Sequence, residues 1–462
     1  MTALFSPRTP GSSAASGSFA ATPVVAPGQV LDSLAKSQLV DGFPFVLDMA
    51  RSHGSWLVDE RDGTSYLDMF GFFASSALGM NHPALAEDEA FLAELGRTAL
   101  NKPSNSDVYT TAMARFVETF RRVLGVPEMP RLFFIDGGAL AVENALKVAF
   151  DWKSQRNEAA GRLGPDGAPL GTKVLHLTGA FHGRSGYTMS LTNTDRTKTD
   201  RFPKFDWPRI DAPHTGLADV EAAEERALAQ IWAAFTAHPH DIACFIAEPI
   251  QGEGGDRHLR PEFLRAVQEL CLEHDALFVL DEVQTGVGMT GTMWAHLGLG
   301  LEPDIVAFGK KTQVCGIMAG RRVEELATNA MRVSSRINST WGGNLVDMVR
   351  ARRIYEVVEA EDLAGRAARL GEALLKGLVG LAERRPGLVS HPRGRGLMCA
   401  IDLPSAAIRN AVVADLFEKE QVIILATGER GVRFRPTLTV TEEELALALR
   451  ALDRALGRIA KD

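Results

Sequence analysis

Cysteine is scarce. Cys244, Cys271, Cys315 and Cys399 are the only four in 462 residues, and no two of them form a CxxC pair. That argues against a disulfide framework or a zinc ribbon and fits a reducing compartment. Long apolar runs are also missing. No stretch approaches the roughly 18 to 20 residues that span a bilayer. Basic charge is in deficit, with a formal net charge of -8. This excludes a generally basic nucleic-acid surface, though not a local patch. The motifs GxxxxGK[ST], HExxH and GxSxG do not occur.

What is present is ordinary for a soluble globular chain: 45% apolar and 23% charged residues. At about 150 residues per domain, the length implies two to three domains. A chain this long buries most of its apolar surface without covalent staples. Residues 1–28 are rich in Ala, Ser, Pro and Gly and lack the basic start and apolar block of a signal peptide. They are expected to be a flexible tail, and the protein is expected in the cytoplasm.

The segment SWLVDERDGTSYLDMF predicts a hairpin turning at Asp62-Gly63. From about residue 130, short apolar runs alternate with amphipathic helical stretches: LFFI (132–135), VLHL (174–177), IACFIAE (242–248), ALFVLDE (276–282) and DIVAFG (304–309). That alternation predicts an α/β fold with a mainly parallel sheet between helices. From about residue 346, long helical stretches surround a few short strands, among them RGLMCAI and GVRFRP. The last helix opens on a capping box at Thr441 and Glu444. The expected division is 29–80 as the N-terminal part of a small α+β domain, 81–345 as the large domain, and 346–462 as the C-terminal part of the small one.

Ligands of open α/β sheets bind beyond the carboxyl ends of the strands, so the residues just past each strand carry the chemistry. After LFFI come Gly137, Gly138 and Ala139, opening a helix whose free N–H groups suit a phosphate; the bland alternative is a tight turn. After VLHL come Phe181, His182, Gly183 and Arg184. They offer an aromatic to stack on a planar ring and a guanidinium for a carboxylate, or simply a core Phe and a surface Arg. After ALFVL stands Asp281, a buried carboxylate in need of a cationic partner. A protonated ring nitrogen would serve, as would a structural ion pair. After DIVAFG come Lys310 and Lys311. Neighbouring strand residues point to opposite faces, so at most one of them enters the cleft as an amine nucleophile. The GVGMTG segment (286–291) matches GxGxxG, but DEVQT separates it from the strand and no clear helix comes after it, which makes it weak as a dinucleotide site. His238 and His240 flank Pro239 and read as a loop, so no metal is expected.

Taken in order, the glycine pair, the aromatic-His-Gly, DEVQTG and the lysine after DIVAFG resemble the fold-type-I pyridoxal-phosphate aminotransferases of the ω-amino-acid group. DERDGTSYLD, GGALAVENALK, AEPIQGEGG and PDIVAFGKK fit that group, and the resemblance runs from about residue 40 to nearly the end. LDMFGFFASSALGMNHP, ALNKPSNSDVY, RFPKFDWPRIDAP, KKTQVCGIMAGRR and NSTWGGN are most similar to members that act on the terminal amine of L-lysine. One departure is Thr437, where the group often has a second proline in the RFRPT segment.

The resemblance implies pyridoxal 5'-phosphate as cofactor and a seven-stranded sheet. It implies Lys310, rather than Lys311, as the amine that forms the Schiff base and shuttles the proton, with Asp281 holding the pyridinium nitrogen. It further implies Gln284 on the ring hydroxyl, Phe181 on the ring face, and Gly138 and Ala139 on the phosphate. Thr340 is implied to reach the phosphate of the neighbouring subunit, which makes a homodimer part of the site. For substrates, it implies L-lysine and 2-oxoglutarate in turn, yielding 2-aminoadipate 6-semialdehyde and L-glutamate. Arg433 would take the carboxylate beside the keto carbon, Glu253 would mask Arg433 when that carboxylate is absent, and Arg184 would hold the far carboxylate. The same transfer on ornithine, 4-aminobutyrate or acetylornithine remains open. So does a mutase or decarboxylase on this scaffold. A non-catalytic effector sensor is the last alternative, although no basic helix-turn-helix segment is visible.

Overall fold

The computed structural model describes residues 24–460. Most of the expected tail lies outside the described residues; its end is already ordered as a 3-10 turn, Pro27–Gln29, leading into the helix Val30–Ala35.

The predicted hairpin forms from β1 (Trp56–Val58) and β2 (Ser65–Asp68), with Gly63 at φ 83° in the turn. Its second strand pairs in parallel with β14 (Val422–Ile423), joining the two ends of the chain in one small sheet. A second small sheet, of four strands, holds β12 (Ser390–Arg395), β13 (Met398–Asp402), β16 (Gly431–Phe434) and β15 (Leu425–Thr427) in that order. The final helix, Glu442–Ile459, has the expected capping box: the Glu444 N–H donates to Thr441 Oγ1 at 3.1 Å and the Thr441 N–H to Glu444 Oε2 at 2.9 Å.

The central sheet has seven strands in the order β3 (Arg131–Ile135), β11 (Cys315–Ala319), β10 (Ile305–Phe308), β9 (Leu277–Asp281), β6 (Ile242–Ala247), β4 (Lys173–Leu177) and β5 (Arg209–Ile210). Only β11 runs against its neighbours. Strands β6, β9 and β10 are buried at every residue, which is why they read as unbroken apolar runs rather than alternating ones. Strand β11 escaped the sequence reading because Gly316 and Cys315 interrupt its apolar character. That glycine is needed, since a Cβ there would lie 2.1 Å from the Phe133 carbonyl oxygen. Beyond β6, the short strands β7 (Ile250–Gln251) and β8 (Arg257–His258) form a hairpin.

The GVGMTG segment is a run of turns with no helix at its end. Gly288 (φ 79°) and Gly291 (φ 88°) lie under the helix Leu363–Arg384, where an added Cβ would come 3.3 Å from Ala364 Cα and 3.0 Å from Ala368 Cβ. These glycines permit close helix packing and offer no phosphate cradle.

Candidate active site

Strands β3, β4, β6, β9 and β10 run in one direction, so their carboxyl ends share one edge of the sheet. Asp281 ends β9 at that edge and is buried. Its Oδ2 accepts a hydrogen bond from His182 Nδ1 at 2.8 Å, and its Oδ1 accepts the Val283 N–H at 3.0 Å. Burial opposes charge on His182, but the Asp281 hydrogen bond and charge outweigh it and raise the imidazole pKa. Glu248, after β6, accepts the N–H groups of Phe181 and Gly252, each at 3.0 Å. Burial pushes its carboxyl up to about 7, against the pull of His182.

Lys310 and Lys311 come after β10, as expected, but do not alternate faces as strand residues would. They open a 3-10 turn, Lys310–Thr312, that reverses the chain into β11. Lys310 takes φ 55°, a left-handed value that costs a non-glycine residue about 1 kcal/mol or more. The paired strands on either side hold it there. Within that turn the two amines differ. Burial lowers the pKa of both; Lys311 is wholly buried and its Nζ is spent on the carbonyls of Ala74 at 2.8 Å and Gln284 at 3.2 Å. The Lys310 pKa is lowered by burial first; Asp281 pulls it back up and Arg433 lowers it further. Burial that favours the uncharged amine, beside a buried carboxylate, suits a carbonyl-capturing lysine.

The glycine turn lies against this lysine. Gly137 takes φ 98° and opens the helix Gly138–Ala159 with no side-chain cap, leaving the first-turn N–H groups free. A Cβ on Gly309 would lie 3.6 Å from Gly138 Cα, and one on Gly138 would lie 3.1 Å from Val283 Cγ1. A Cβ on Gly183 (φ 109°) would collide with Ala139 Cβ at 2.5 Å. Four strand-end turns therefore close on one another around the lysine and the acid. A planar cofactor with a phosphate, an aldehyde and a basic ring nitrogen fits this donor set: free helix N–H groups, a lysine and a buried carboxylate.

Gln284 Oε1 accepts two N–H groups of Arg435, at 3.1 and 3.0 Å, which leaves its Nε2 as the donor end. Arg435 is completely buried and also pairs with Asp256. Arg433, two residues earlier on the same face of the chain, donates Nη1 to the Gly252 carbonyl at 2.7 Å, while its buried Nε has no partner. Burial, with Arg435 adding to it, lowers the Arg433 pKa to about 10. The expected contact between Glu253 and Arg433 is not made. Glu253 Oε1 is bound instead by the Lys198 ammonium and by Thr194 Oγ1, the latter at 3.1 Å. The turn Arg196–Lys198 brings that ammonium to Glu253, where it satisfies the carboxylate.

The remaining expected residues are more peripheral. Phe181 is half-buried, with the Lys198 ammonium 5.8 Å from its ring centroid. Arg184 is exposed. Thr340 is exposed as well, and its carbonyl accepts a hydrogen bond from Ser104 Oγ at 2.6 Å. Thr437, the residue in place of a proline, is buried and hydrogen-bonds through Oγ1 to Thr439 Oγ1 at 3.1 Å. His182, Glu248, Arg435 and Lys198 were not singled out from the sequence. His182 stood in view within the aromatic-His-Gly segment. Arg435 was visible as the second of two arginines at strand spacing.

The family profile of class-III aminotransferases matches residues 39–456. The L-lysine-epsilon aminotransferase of Mycobacterium tuberculosis is 62% identical over 434 residues, covering 93% of this chain and 96% of that protein. Its counterpart in Streptomyces clavuligerus is 55% identical over 440 residues, covering 94% and 95%. A solved lysine aminotransferase from M. tuberculosis superposes with a TM-score of 0.92 at 61% identity, covering 94% of this chain and all of that one. The chain belongs to the class-III aminotransferases, fold-type-I enzymes that depend on pyridoxal 5'-phosphate.

Proposed function

We propose that this enzyme is an L-lysine 6-transaminase. It moves the terminal amino group of L-lysine to 2-oxoglutarate, giving 2-aminoadipate 6-semialdehyde and L-glutamate. The observation that carries the reading is Arg433. It is a buried guanidinium whose only hydrogen-bond partner among the described residues is a backbone carbonyl. A buried cation without a carboxylate is costly, and a substrate carboxylate completes it. The full-length likeness to L-lysine-epsilon aminotransferases supports lysine as the donor.

Pyridoxal phosphate, when bound, supplies an aldehyde that captures an amine and an electron-poor ring that spreads negative charge from the adjacent carbon. Lys310 would hold the cofactor and carry a proton to and from the reacting carbon. Asp281, aligned by His182, would keep a proton on the ring nitrogen. Gln284 would donate from Nε2 to the ring hydroxyl oxygen. Phe181 would cover the ring, and the Gly138 and Ala139 N–H groups would bind the phosphate.

The two substrates pose opposite demands. The carbon of lysine that reacts carries no carboxylate, whereas the keto carbon of 2-oxoglutarate carries one. Arg433 takes that carboxylate, Arg184 takes the one at the far end, and Glu253 neutralises Arg433 during the lysine half. We read the enzyme as a homodimer in the cytoplasm, with Thr340 reaching the partner's phosphate site. Its exposure and that of neighbouring Trp341 support this. No helix among the described residues is long and apolar enough to cross a membrane. We read 29–80 with 346–462 as the small domain and 81–345 as the large one, a division supported by the pairing of β2 with β14.

A screen of amino donors against 2-oxoglutarate tests this reading. L-lysine is expected to give the highest kcat/KM with stoichiometric L-glutamate. A higher value for ornithine, 4-aminobutyrate or acetylornithine would overturn the substrate, and absence of glutamate would overturn the transfer.

A further inference from the structure

We propose that Lys198 is a positioning residue for the change between the two substrates: it holds the Glu253 carboxylate off Arg433 and so leaves Arg433 open to the substrate carboxylate. The inference rests on the roles proposed for Glu253 and Arg433.

One anion and two cations share this corner of the site. Lys198 closes the turn Arg196–Lys198, which Asp195 caps by accepting the Thr197 N–H at 2.9 Å. Its ammonium binds Glu253 Oε1 and lies 5.8 Å from the centroid of the Phe181 ring, within cation–π range. Thr194 Oγ1 donates to the same carboxylate oxygen at 3.1 Å. Two donors from one loop thus converge on Glu253. Its backbone is pinned separately, because the Glu253 carbonyl accepts the Gly428 N–H at 3.0 Å. Only the side chain is free to swing. On the other side, Arg433 is held through Gly252, the residue directly before Glu253, and has a buried Nε with no partner.

The difference in burial makes the arrangement reversible. The Lys198 and Glu253 side chains are 30% and 25% exposed, whereas Arg433 is 5% exposed. If Glu253 moves to Arg433, Lys198 is left beside water and an aromatic face, which an ammonium tolerates. If a substrate carboxylate claims Arg433, Glu253 returns to Lys198 and Thr194 rather than standing unpaired. Each substrate therefore meets a carboxylate with a ready partner, and a modest difference in affinity suffices to shift the balance. Without Lys198, Glu253 would rest on Arg433 and compete with every dicarboxylate.

The test uses holoenzyme with glutarate, a dicarboxylate that has no keto group and cannot react. Its dissociation constant is measured by calorimetry for wild type, Lys198→Met, Lys198→Arg, Glu253→Gln and the Lys198→Met/Glu253→Gln double variant. Lys198→Met is expected to weaken glutarate about tenfold and to raise the KM for 2-oxoglutarate alike, while the KM for L-lysine is unchanged or falls. Lys198→Arg should restore glutarate binding to within about threefold. In the Glu253→Gln background, Lys198→Met should have no further effect. An equal loss for glutarate and lysine, or a loss that persists in the Glu253→Gln background, would overturn the role of Lys198. An Arg433→Met variant separates the underlying reading. If it binds glutarate as tightly as wild type does, Arg433 is not the carboxylate site, and that reading fails first.

Discussion

His182 Nδ1 stands 2.8 Å from Asp281 Oδ2 with both side chains buried, so the acid at the end of the central strand has an imidazole hydrogen-bond partner within the chain. The pair fixes the orientation of the carboxylate and leaves His182 Nε2 buried with no partner among the described residues.

The pair makes stability depend on pH. The imidazole pKa is raised above its ordinary 6.5 in the folded state. Its contribution is therefore complete below pH 6.5 and is lost as pH rises through the higher folded value. The difference in melting temperature between wild type and His182→Gln, tracked across pH, should be largest in the acidic range and shrink as pH rises. A difference that grows with pH would contradict the pairing.

Lys311 is assigned to structure. Replacing it with methionine leaves the Ala74 and Gln284 carbonyls without their donor. Each buried acceptor so orphaned costs about 1–3 kcal/mol. Lys311→Met should lower thermal stability yet keep the visible absorption of bound cofactor. Loss of that absorption in the folded variant would place Lys311 in the chemistry.

Gly183 is expected to tolerate no side chain. Its φ of 109° and a Cβ position 2.5 Å from Ala139 Cβ mean that Gly183→Ala must push on the helix N-terminus. The affinity of the apoprotein for pyridoxal phosphate, measured by fluorescence titration, should fall at least tenfold. An unchanged affinity would show that this turn does not shape the phosphate site.

Arg433 divides the substrates. Arg433→Met should raise the KM for 2-oxoglutarate about a hundredfold or more, the scale of losing a buried carboxylate–guanidinium contact. The L-lysine half-reaction, measured in a single turnover, should change by less than about fivefold. Equal damage to both halves would remove Arg433 from the carboxylate site.

Much of this architecture was legible in the sequence because buried parallel strands write themselves as apolar runs. Strands β6, β9 and β10 fall within a residue or so of their expected bounds. Once the strands are placed, the residues at their carboxyl ends are placed too, and Asp281, Gly138 and Lys310 do meet at one edge. Less is legible where tertiary contacts decide. The placement of Lys310 in a turn depends on β11, a strand interrupted by Gly316 whose partners, β3 and β10, lie on either side of it. The partner of Glu253 depends on a three-residue turn with no periodic signature. The His182–Asp281 pair joins residues 99 positions apart, which no local pattern announces.

The most direct test is to reduce the holoenzyme with borohydride, digest it, and locate the pyridoxyl adduct by mass spectrometry. The adduct is expected on the peptide carrying the 310–311 pair, with fragmentation assigning it to Lys310. An adduct on Lys311 or on another lysine, or no adduct on a protein that binds the cofactor, would contradict the account.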